Sequence, residues 1–456
     1  MTSNTRANTM RFRLRGGRLP SQPPEYFQGE MALKEMPMSI EKDSAYDISM
    51  KGLHKIAKIM NLSDEVIGYL RTPQRILTVE LPLRMDDGSL RFYTGYRAQH
   101  NSALGMVKGG TRLHKDETLD DVKALSFWMS IKNALANIPA GGAKGGIAVD
   151  PATLSSAELE RLCRTYIRAI FPILGARVDV PGPDVGTPQQ VMAWFIDEYI
   201  SLAHGYDPAA FAGKPPILGG SEGRNRSTGR GLVDVVEKIL SLNNQQIKGQ
   251  RIVIQGFGNL GTHAASFFTE QGGVVIALSD VKGGVYCDTG IDPSAAMAHV
   301  SKTGYLENLP DTEPLTNAEL LELSCDILVP CALQGQITAA NANNIKASYV
   351  IEGANGPTTP DAEEILHDKG IIVVPDIVAN PGGAVVAYFE LVQDLYHYYW
   401  SEKEVFDKLK PIMQKTAEEV WYSAQKNNSD LRQAAWISAI AKIVEAMRLR
   451  GWVRNI

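Results

Sequence analysis

The sequence predicts an α/β protein with two domains, the second of which is built on a doubly wound parallel sheet. Three observations predict this fold class. At 456 residues the chain is long enough for two or three domains with separate cores. Its first part contains two alternating segments, typical of paired strands, with no helix between them. Its second part alternates short apolar strands with helices, which is the pattern of a parallel sheet.

Composition limits the classes of function. A hydrophobic content of 44% and a charged content of 21% are typical of an ordinary globular protein. The net charge of -5 argues against nucleic acid as a partner. No apolar run approaches the roughly 18 residues that cross a bilayer, so no membrane partner is expected. The four cysteines lack the spacing of metal ligands, which predicts reduced thiols and no metal site.

The N-terminus has a different composition from the rest of the chain. Five arginines fall within the first 18 residues, and no acidic residue comes before Glu25. We expect residues 1–43 to be a disordered basic tail on a cytoplasmic protein. The alternatives are a mitochondrial presequence, which would place the protein in the matrix, and a true start at Met31 or Met36.

The first predicted domain begins near Ser44. Helical spacing and strict alternation of apolar residues predict two helices and then two strands, at Asp47–Ile59, from Asp64, at Arg75–Arg84 and at Leu90–Gln99. Capping boxes predict three further helices, starting at Thr118–Asp121, Ser155–Glu158 and Thr187–Gln190. A strand near Val178 leads into a Pro-rich turn that carries Asp184. The dipole of the next helix would stabilise this carboxylate, and helix capping is the alternative role.

Three lysines lie in the stretch from Lys108 to Gly146, at positions 108, 132 and 144. Gly-Gly pairs flank Lys108 and Lys144 and predict Gly-rich loops, in which the backbone approaches a ligand closely. A lysine near other cations and away from water shifts towards its neutral form, which suits proton transfer. The alternatives are solvated lysines in turns and, for Lys132, a basic residue at a helix C-terminus.

The Gly-, Pro- and Arg-rich segment 213–231 predicts a hinge or a crossing between domains. A strand at Arg251–Gln255, the motif GFGNLG and a helix to about Gln271 follow, and a strand at Val274–Leu278 then leads to an acid. That acid, Asp280, lies 280 − 261 = 19 residues beyond the last glycine of the motif. This context predicts dinucleotide binding, with the pyrophosphate on the helix N-terminus and Asp280 on the adenosine ribose. The candidate cofactor residues of this unit are Gly256, Phe257, Gly258, Asn259, Leu260, Gly261 and Asp280.

Three more strands are predicted, at Ile327–Pro330, Tyr349–Glu352 and Ile371–Val374, and they complete the doubly wound sheet. Asn355 follows one of these strands and should lie at the ligand-binding edge of the sheet. A long helix is predicted from Ala384 to about Trp400, followed only by helices.

Eight motifs occur in a characteristic order: KGG, KNAL, GGAKGG, DVPGPDVGT, STGRG, GFGNLG, EGAN and YFELVQ. In these motifs the chain resembles the Glu/Leu/Phe/Val dehydrogenase superfamily, and most of all its glutamate dehydrogenases. The resemblance implies reversible oxidative deamination of L-glutamate to 2-oxoglutarate and ammonia with NAD(P), in a homohexamer. It also implies an N-terminal α/β substrate and oligomerisation domain and a Rossmann-type NAD(P)-binding domain. The predicted boundaries are 44–213 for the first, 214–383 for the second and 384–456 for C-terminal helices that return to the first.

The resemblance also implies individual roles. Lys144 and Asp184 match the catalytic pair, Lys132 matches the lysine that holds the substrate α-carboxylate, and Lys108, followed by Gly109, matches the lysine that holds the γ-carboxylate. Two further residues, Thr228 and Asn355, match contacts of the nicotinamide end of the cofactor.

Three pocket positions depart from the glutamate pattern. Ala387 stands where a serine is usual, Ala384 where a valine is usual, and Gly182 where an alanine is usual. The pocket is therefore expected to be wider, while Lys108 still favours an acidic substrate because an unpaired buried ammonium is costly. A larger acidic or an apolar amino acid is the alternative substrate, and a catalytically silent regulatory homologue is the alternative class.

The choice of cofactor depends on the residues that follow the second strand of the dinucleotide-binding unit. Asp280 favours NAD, because it would bond the ribose hydroxyl and repel a 2′-phosphate. Lys282, two positions further on, could offset this charge and admit NADP. The expected cofactor is therefore NAD, with NADP as the alternative.

Overall fold

The computed structural model describes residues 44–454, in which the regular structure is organised around two sheets. The predicted tail at 1–43 lies outside the described residues. The first sheet has the order β1-β2-β4-β3-β5. Strand β2 is antiparallel to both β1 and β4, whereas β3 is parallel to both β4 and β5. Its strands are β1 (Arg75–Arg84), β2 (Leu90–Asn101), β3 (Val107–His114), β4 (Gly141–Ala148) and β5 (Asp179–Pro183).

Five helices accompany this sheet, namely α1 (Ala45–Ile59), α2 (Asp64–Arg71), α3 (Leu119–Leu135), α4 (Ser156–Ile170) and α5 (Gln189–Ala203). The predicted capping boxes form at Thr118 and Ser155. The third predicted box was wrong, because Pro188 is the N-cap of α5 and makes no side-chain cap. The Thr187 hydroxyl instead accepts a hydrogen bond from the Asp184 amide at 2.7 Å and donates to the Thr111 carbonyl at 2.8 Å. It thereby ties the turn that carries Asp184 to β3.

The prediction of Gly-rich loops around Lys108 and Lys144 was also wrong, because both lysines lie in adjacent parallel strands, β3 and β4. None of the flanking glycines has a left-handed backbone. Glycine is needed here for close approach of neighbouring groups. A Cβ on Gly109 would lie 1.6 Å from the Ala143 carbonyl oxygen, and one on Gly110 would lie 2.7 Å from the Asp184 carboxylate. The glycine at position 110 therefore leaves room on the face of β3 for the Asp184 carboxylate.

The second sheet has seven strands in the order β12-β11-β10-β6-β7-β8-β9. Its five strands from β12 to β7 are parallel, as predicted, whereas the two edge strands β8 and β9 are antiparallel and were not predicted. The strands are β6 (Arg251–Gln255), β7 (Val274–Asp280), β8 (Gly283–Tyr286), β9 (Glu313–Leu315), β10 (Ile327–Pro330), β11 (Tyr349–Ile351) and β12 (Ile372–Val374). Their strand order reverses beside β6, where a doubly wound sheet binds its ligand.

The helices that follow α5 are α6 (Ser227–Leu242), α7 (Asn259–Glu270), α8 (Pro293–Thr303), α9 (Asn317–Leu321), α10 (Pro360–Asp368), α11 (Asp376–Ala379), α12 (Gly382–Tyr396), α13 (Glu402–Asn427) and α14 (Leu431–Leu449). Short 3₁₀ turns lie at Pro151–Thr153, Phe171–Ile173, Pro208–Ala210, Pro216–Leu218 and Ala342–Asn344. Helix α14 packs on α3, where the Trp436 ring meets Phe127 and Trp128 at centroid distances of 5.6 and 4.9 Å. Between residues 44 and 454, no helix has the length and apolar character that a bilayer crossing requires.

The crossing from the first sheet to the second is held by a buried ion cluster. Lys214 Nζ donates to Glu390 at 2.6 Å and to Asp394 at 2.8 Å, and all three side chains are fully buried. Glu390 also accepts hydrogen bonds from the backbone amides of Gly213 and Lys214. Because both acids lie on α12, this cluster attaches the connecting segment to that helix.

Candidate active site

A lysine–aspartate pair lies where β3, β4 and β5 meet. The Lys144 ammonium forms an ion pair with Asp184 Oδ2, and Arg112 Nε donates to Asp184 Oδ1 at 3.0 Å. The structure thus brings together the two residues for which the sequence predicts catalysis, and it adds Arg112. Lys144 is 3% exposed, so the ammonium is held away from bulk water.

Burial and neighbouring charge shift the pKa values of this pair in ways that suit proton transfer. Burial lowers the pKa of Lys144, Asp184 opposes the shift, and the Arg112 cation adds to it. Burial alone would raise the pKa of Asp184. The Lys144 and Arg112 cations outweigh it and hold the pKa of that carboxyl well below its usual range. Asp184 is therefore ionised at neutral pH, and Lys144 loses its proton more readily than an exposed lysine.

A second carboxylate, which the sequence analysis did not single out, lies beside this pair. Glu117 is 5% exposed and its Oε2 lies 3.8 Å from Arg112 Nε. Among the described residues, its other oxygen, Oε1, has no hydrogen-bond partner. Burial raises the pKa of Glu117 to about 7, against the opposing cations Arg112 and Lys144.

Lys132, on α3, reaches residues of the second sheet. Its Nζ donates to Asn380 Oδ1 at 2.8 Å and to Asn355 Oδ1 at 3.4 Å. The Asn380 amide in turn donates to the Gly353 carbonyl and to Asn355 Oδ1. Burial lowers the pKa of Lys132. Lys132 and Asn355, which lie far apart in the sequence, are therefore neighbours in one site, and Asn380 joins them.

Lys108 lies at the other end of the site, on β3. It is 4% exposed, and its Nζ is 3.5 Å from the carbonyl oxygen of Ala384, the contact distance of a weak hydrogen bond. Burial and the nearby Arg224 cation lower the pKa of Lys108 to about 7. Among the described residues, the buried Nε of Arg224 has no hydrogen-bond partner. Two cations therefore share this end of the site, and an anion between them would be strongly favoured.

The predicted pocket positions lie close to this end. Ala387 is buried in an apolar cluster with Val180, Ala212 and Leu391. A Cβ on Gly182 would lie 4.0 Å from Ala212, an ordinary contact, so the position is open. The small residues therefore leave space in the pocket and add no hydrogen-bonding side chain to it.

The GFGNLG segment forms the turn between β6 and α7, as predicted. Gly256 has a left-handed backbone, with φ of 94°, and Gly261 lies so close that its Cβ would be 1.9 Å from the Gly256 carbonyl oxygen. Gly258, the N-cap of α7, faces open space, and among the described residues no side chain caps the first amides of the helix. Phe257 and Asn259 are held by hydrogen bonds to the Ser279 and Asn225 carbonyls, and Leu260 packs against the core.

Asp280, the last residue of β7, and Lys282 are the residues predicted to discriminate between dinucleotides. Asp280 accepts hydrogen bonds from the amides of Lys282 at 2.8 Å and Leu306 at 2.6 Å, so its carboxylate is fixed in place. The Lys282 ammonium lies 5.1 Å from the centre of the Tyr305 ring. The negative charge therefore stays at the end of β7, while the lysine is engaged elsewhere.

Thr228 lies in the first turn of α6, beside α12. A Cβ on Gly383 would lie 2.8 Å from the Thr228 hydroxyl and 3.1 Å from an Arg224 nitrogen. Glycine at 383 therefore allows α12 to approach α6 at this point.

Four residues of the site were missed from sequence: Arg112, Glu117, Arg224 and Asn380. Arg112 lies two residues beyond the KGG motif, and Arg224 lies in the Gly-, Pro- and Arg-rich segment 213–231. A charged residue inside an otherwise buried strand or glycine-rich segment was the available signal. Nothing in the local pattern marks Glu117, because it precedes a helix cap and resembles a solvated residue. Between residues 44 and 454, no group of three or more His, Cys, Asp or Glu side chains could hold a metal ion.

Comparison with known proteins places the chain in one family. The model of the Glutamate/Leucine/Phenylalanine/Valine dehydrogenase family matches residues 219–451, and that of the Glu/Leu/Phe/Val dehydrogenase dimerisation domain matches residues 73–201. The chain therefore belongs to the Glu/Leu/Phe/Val dehydrogenase family. It is an α/β oxidoreductase with a dimerisation domain and a Rossmann-type domain.

Relatives within that family resemble the chain over most of its length. It is 48% identical to the catabolic NAD-specific glutamate dehydrogenase of Bacillus subtilis, over 84% of this chain and 90% of the relative. It is 45% identical to the NAD-specific glutamate dehydrogenase of Staphylococcus aureus, over 90% and 98%. The structure of glutamate dehydrogenase from Peptoniphilus asaccharolyticus is 38% identical, with a TM-score of 0.82 over 90% of this chain and all of that one. A hetero-hexameric glutamate dehydrogenase of Thermus thermophilus in a leucine-bound form is 36% identical, with a TM-score of 0.85 over 91% and 99%.

Proposed function

We propose that this chain is a glutamate dehydrogenase that catalyses the reversible oxidative deamination of L-glutamate to 2-oxoglutarate and ammonia with NAD. The observation that carries this function is the Lys144–Asp184 ion pair with its buried lysine, in a fold that also has a dinucleotide-type turn and a second buried lysine, Lys108. The relatives at 45–48% identity are NAD-specific glutamate dehydrogenases, which agrees with both substrate and cofactor.

The residues of the second sheet fit NAD. Gly258 leaves open space at the free N-terminus of α7, where a pyrophosphate would be stabilised by backbone amides and the helix dipole. The fixed carboxylate of Asp280 would accept a ribose hydroxyl and would repel a 2′-phosphate. Since Lys282 is turned towards Tyr305, it does not offset that charge, and NAD is favoured over NADP. Thr228 and Asn355 are proposed to contact the nicotinamide end.

Lys144 and Asp184 are proposed to move the protons of the reaction. Bound NAD supplies the hydride acceptor. Asp184, ionised at neutral pH, can take a proton from the substrate amino group. Lys144, whose pKa is lowered, can deprotonate the water that attacks the iminium carbon and can return that proton when ammonia leaves. Their mutual ion pair holds both groups in place before substrate binds.

The other cations are proposed to orient the substrate. Lys132 would hold the α-carboxylate, and exchange part of its interaction with Asn380 and Asn355 for that contact. Lys108 and Arg224 would hold the side-chain carboxylate. The Glu390 carboxylate attracts both cations but is itself ion-paired with Lys214, so the substrate would supply a direct ion-pair partner. An apolar substrate would leave these two cations buried and unpaired, which is costly. This contrast favours glutamate, and the open wall at Gly182 and Ala387 makes a longer acidic amino acid the second candidate.

The proposal also covers the domain boundaries, the oligomeric state and the cellular location of the protein. We propose domains at 44–213 and 214–383, with the helices of 384–456 returning to the first. The close packing of α14 on α3 supports that return. We also propose a homohexamer, since a related structure is hexameric, and a cytoplasmic location. The relatives from Bacillus and Staphylococcus lend no support to a mitochondrial one.

A direct assay tests the proposal. Purified protein is supplied with glutamate, 2-aminoadipate, leucine or phenylalanine, each with NAD and with NADP, and reduced cofactor is followed by absorbance. We expect glutamate with NAD to give the highest kcat/KM. Faster turnover of leucine or phenylalanine would overturn the substrate assignment. Absence of turnover with every pair, in protein that still binds NADH, would instead identify a silent homologue.

A further inference from the structure

Glu117 is the buried ionisable group at this site for which the proposed chemistry has no use. It precedes α3, yet its carboxyl lies over β4. A Cβ on Gly146 would be 2.7 Å from Glu117 Cγ and 2.9 Å from Oε1, so only glycine at 146 admits this arrangement. Side chains two residues apart on a strand project from the same face. Glu117 therefore lies on the face of β4 from which Lys144 projects.

Arg112 connects this carboxyl to the ion pair. It lies opposite Gly146 in the register of β3 with β4. Its Nε is 3.0 Å from Asp184 Oδ1 and 3.8 Å from Glu117 Oε2, so one guanidinium nitrogen faces both carboxylates. The closer contact belongs to Asp184, while within residues 44–454 one oxygen of Glu117 has no hydrogen-bond partner. A negative charge on Glu117 would compete with Asp184 for Arg112.

From this geometry we propose that Glu117 is a titratable positioning residue, which controls through Arg112 and Lys144 the pH at which the Lys144–Asp184 pair becomes competent. The inference rests on the proposed function for the roles of Lys144 and Asp184. Glu117 touches neither the reacting atoms nor the substrate, and it acts through the charge it presents to its neighbours. No carbon or hydride chemistry is assigned to it.

The direction of the effect follows from the charges. The groups that face Glu117 come from β3, β4, the turn after β5, α3 and α4, and they are Arg112, Lys144, Asp184, Asp121 and Tyr166. Ionised Glu117 stabilises the Lys144 ammonium and so raises the pH at which this lysine releases its proton. When Glu117 is protonated, Arg112 interacts with the Asp184 carboxylate without competition, and Lys144 loses its proton at a lower pH. Because burial raises the pKa of Glu117 to about 7, the change falls in the working range of the enzyme.

The test is Glu117→Gln, which keeps the size of the side chain and removes its charge. The pH profile of kcat/KM for glutamate is measured from about pH 5.5 to about 9.5, a range that covers the ionisation of a perturbed lysine. We expect the acidic limb to move to lower pH by about 0.5–1 unit, less than a full ion pair would give because Arg112 shares the charge. The acidic limb should also become steeper. In the wild type, the ionisation of Glu117 opposes the loss of the Lys144 proton over the same pH range and so broadens the limb.

Two variants separate a charge effect from a structural one. Glu117→Asp keeps a carboxylate and should bring the limb back towards the wild-type position. Glu158→Gln changes another buried glutamate, at the cap of α4, and glutamine preserves its capping role. We expect that variant to keep the wild-type profile. If Glu117→Gln left the limb in place, or if Glu117→Asp moved it as far as Glu117→Gln does, the inference would be overturned.

A second measurement does not depend on turnover. The rate of reductive methylation of Lys144, followed by mass spectrometry against pH in the protein without cofactor, reports the proton affinity of that amine. Glu117→Gln should shift this curve to lower pH by about the same amount. A wild-type protein without dehydrogenase activity would refute the proposed function. An unshifted methylation curve would refute the role of Glu117.

Discussion

Two glycines of the GFGNLG turn are expected to respond differently to the same substitution. A Cβ on Gly261 would lie 1.9 Å from the Gly256 carbonyl oxygen, so the turn and α7 must separate by about 1 Å. Overpacking of this kind costs about 1–3 kcal/mol of stability. A Cβ on Gly258 meets nothing within 4 Å, and its φ of −82° suits any residue. Gly258→Ala should therefore leave the free protein unchanged, or stabilise it by about 0.4–1 kcal/mol.

Cofactor binding should be weakened in both variants, for different reasons. Gly258→Ala would place a methyl group where the pyrophosphate approaches, and we expect the Kd for NADH to rise about 10- to 100-fold, or about 1.4–2.7 kcal/mol. Gly261→Ala would displace the amides of α7. Thermal unfolding without cofactor and fluorescence titration with NADH measure the two effects separately. If Gly258→Ala lowered the Tm of the free protein as much as Gly261→Ala, or bound NADH as the wild type does, the assignment of the two glycines would be refuted.

Four further outcomes are expected. Lys144→Ala should abolish turnover while the Kd for NADH stays within about threefold, since the lysine lies outside the dinucleotide turn; loss of NADH binding would contradict this. Lys108→Leu should lower kcat/KM for glutamate and raise it for leucine, because one buried cation is replaced by an apolar group; unchanged glutamate turnover would contradict the role of Lys108. Lys214→Met should cost about 3–5 kcal/mol, by leaving two buried carboxylates unpaired, whereas Lys410→Met, at a half-exposed pair, should cost about 0–1 kcal/mol; urea unfolding compares them. Burial raises the pKa of Glu117 from 4.5 to about 7. The stability that its neutral carboxyl contributes to the folded protein is therefore fully present below pH 4.5 and is lost as the pH rises through 7. The Tm gain of Glu117→Gln over wild type should accordingly be larger at pH 8 than at pH 4.5, and a gain that is equal at both would contradict the burial argument.

Local sequence pattern predicted the elements whose side chains carry a clear periodicity. Strands β1, β6 and β10 end at the predicted residues, because β-branched and apolar residues alternate or cluster there. Strands β3 and β4 were taken as loops, since their glycines have no side chain to show an alternating pattern. The glycines are present because carboxyl and carbonyl groups from elsewhere in the fold occupy the space of a Cβ. Such a requirement comes from tertiary contacts, and no local window contains it.

The site shows the same division between local and distant information. Motif order indicated Lys144 and Asp184, which the structure joins in one ion pair. The partners of Lys132 could not be read from its helix, because Asn380 lies 248 residues further along the chain. The place of Glu117 in the site could not be predicted for a similar reason, because its burial depends on the absence of a side chain at Gly146. The partners of Lys132 and the burial of Glu117 therefore depend on tertiary contacts, and only the folded structure shows them.

Selectivity in this pocket should depend on charge more than on hydrogen-bond geometry. At Ala387 the wall offers a methyl group within an apolar cluster, so no hydroxyl there can distinguish a carboxylate from an amide or an alkyl group. We expect the remaining discrimination to come from Lys108 and Arg224. Burial lowers the pKa of both groups, and the Arg224 cation lowers that of Lys108 further, so a bound carboxylate would relieve that cost. Because a point charge restricts position less than a directed hydrogen bond does, the pocket should require an acid at its end while tolerating a change in the length of the chain that carries it.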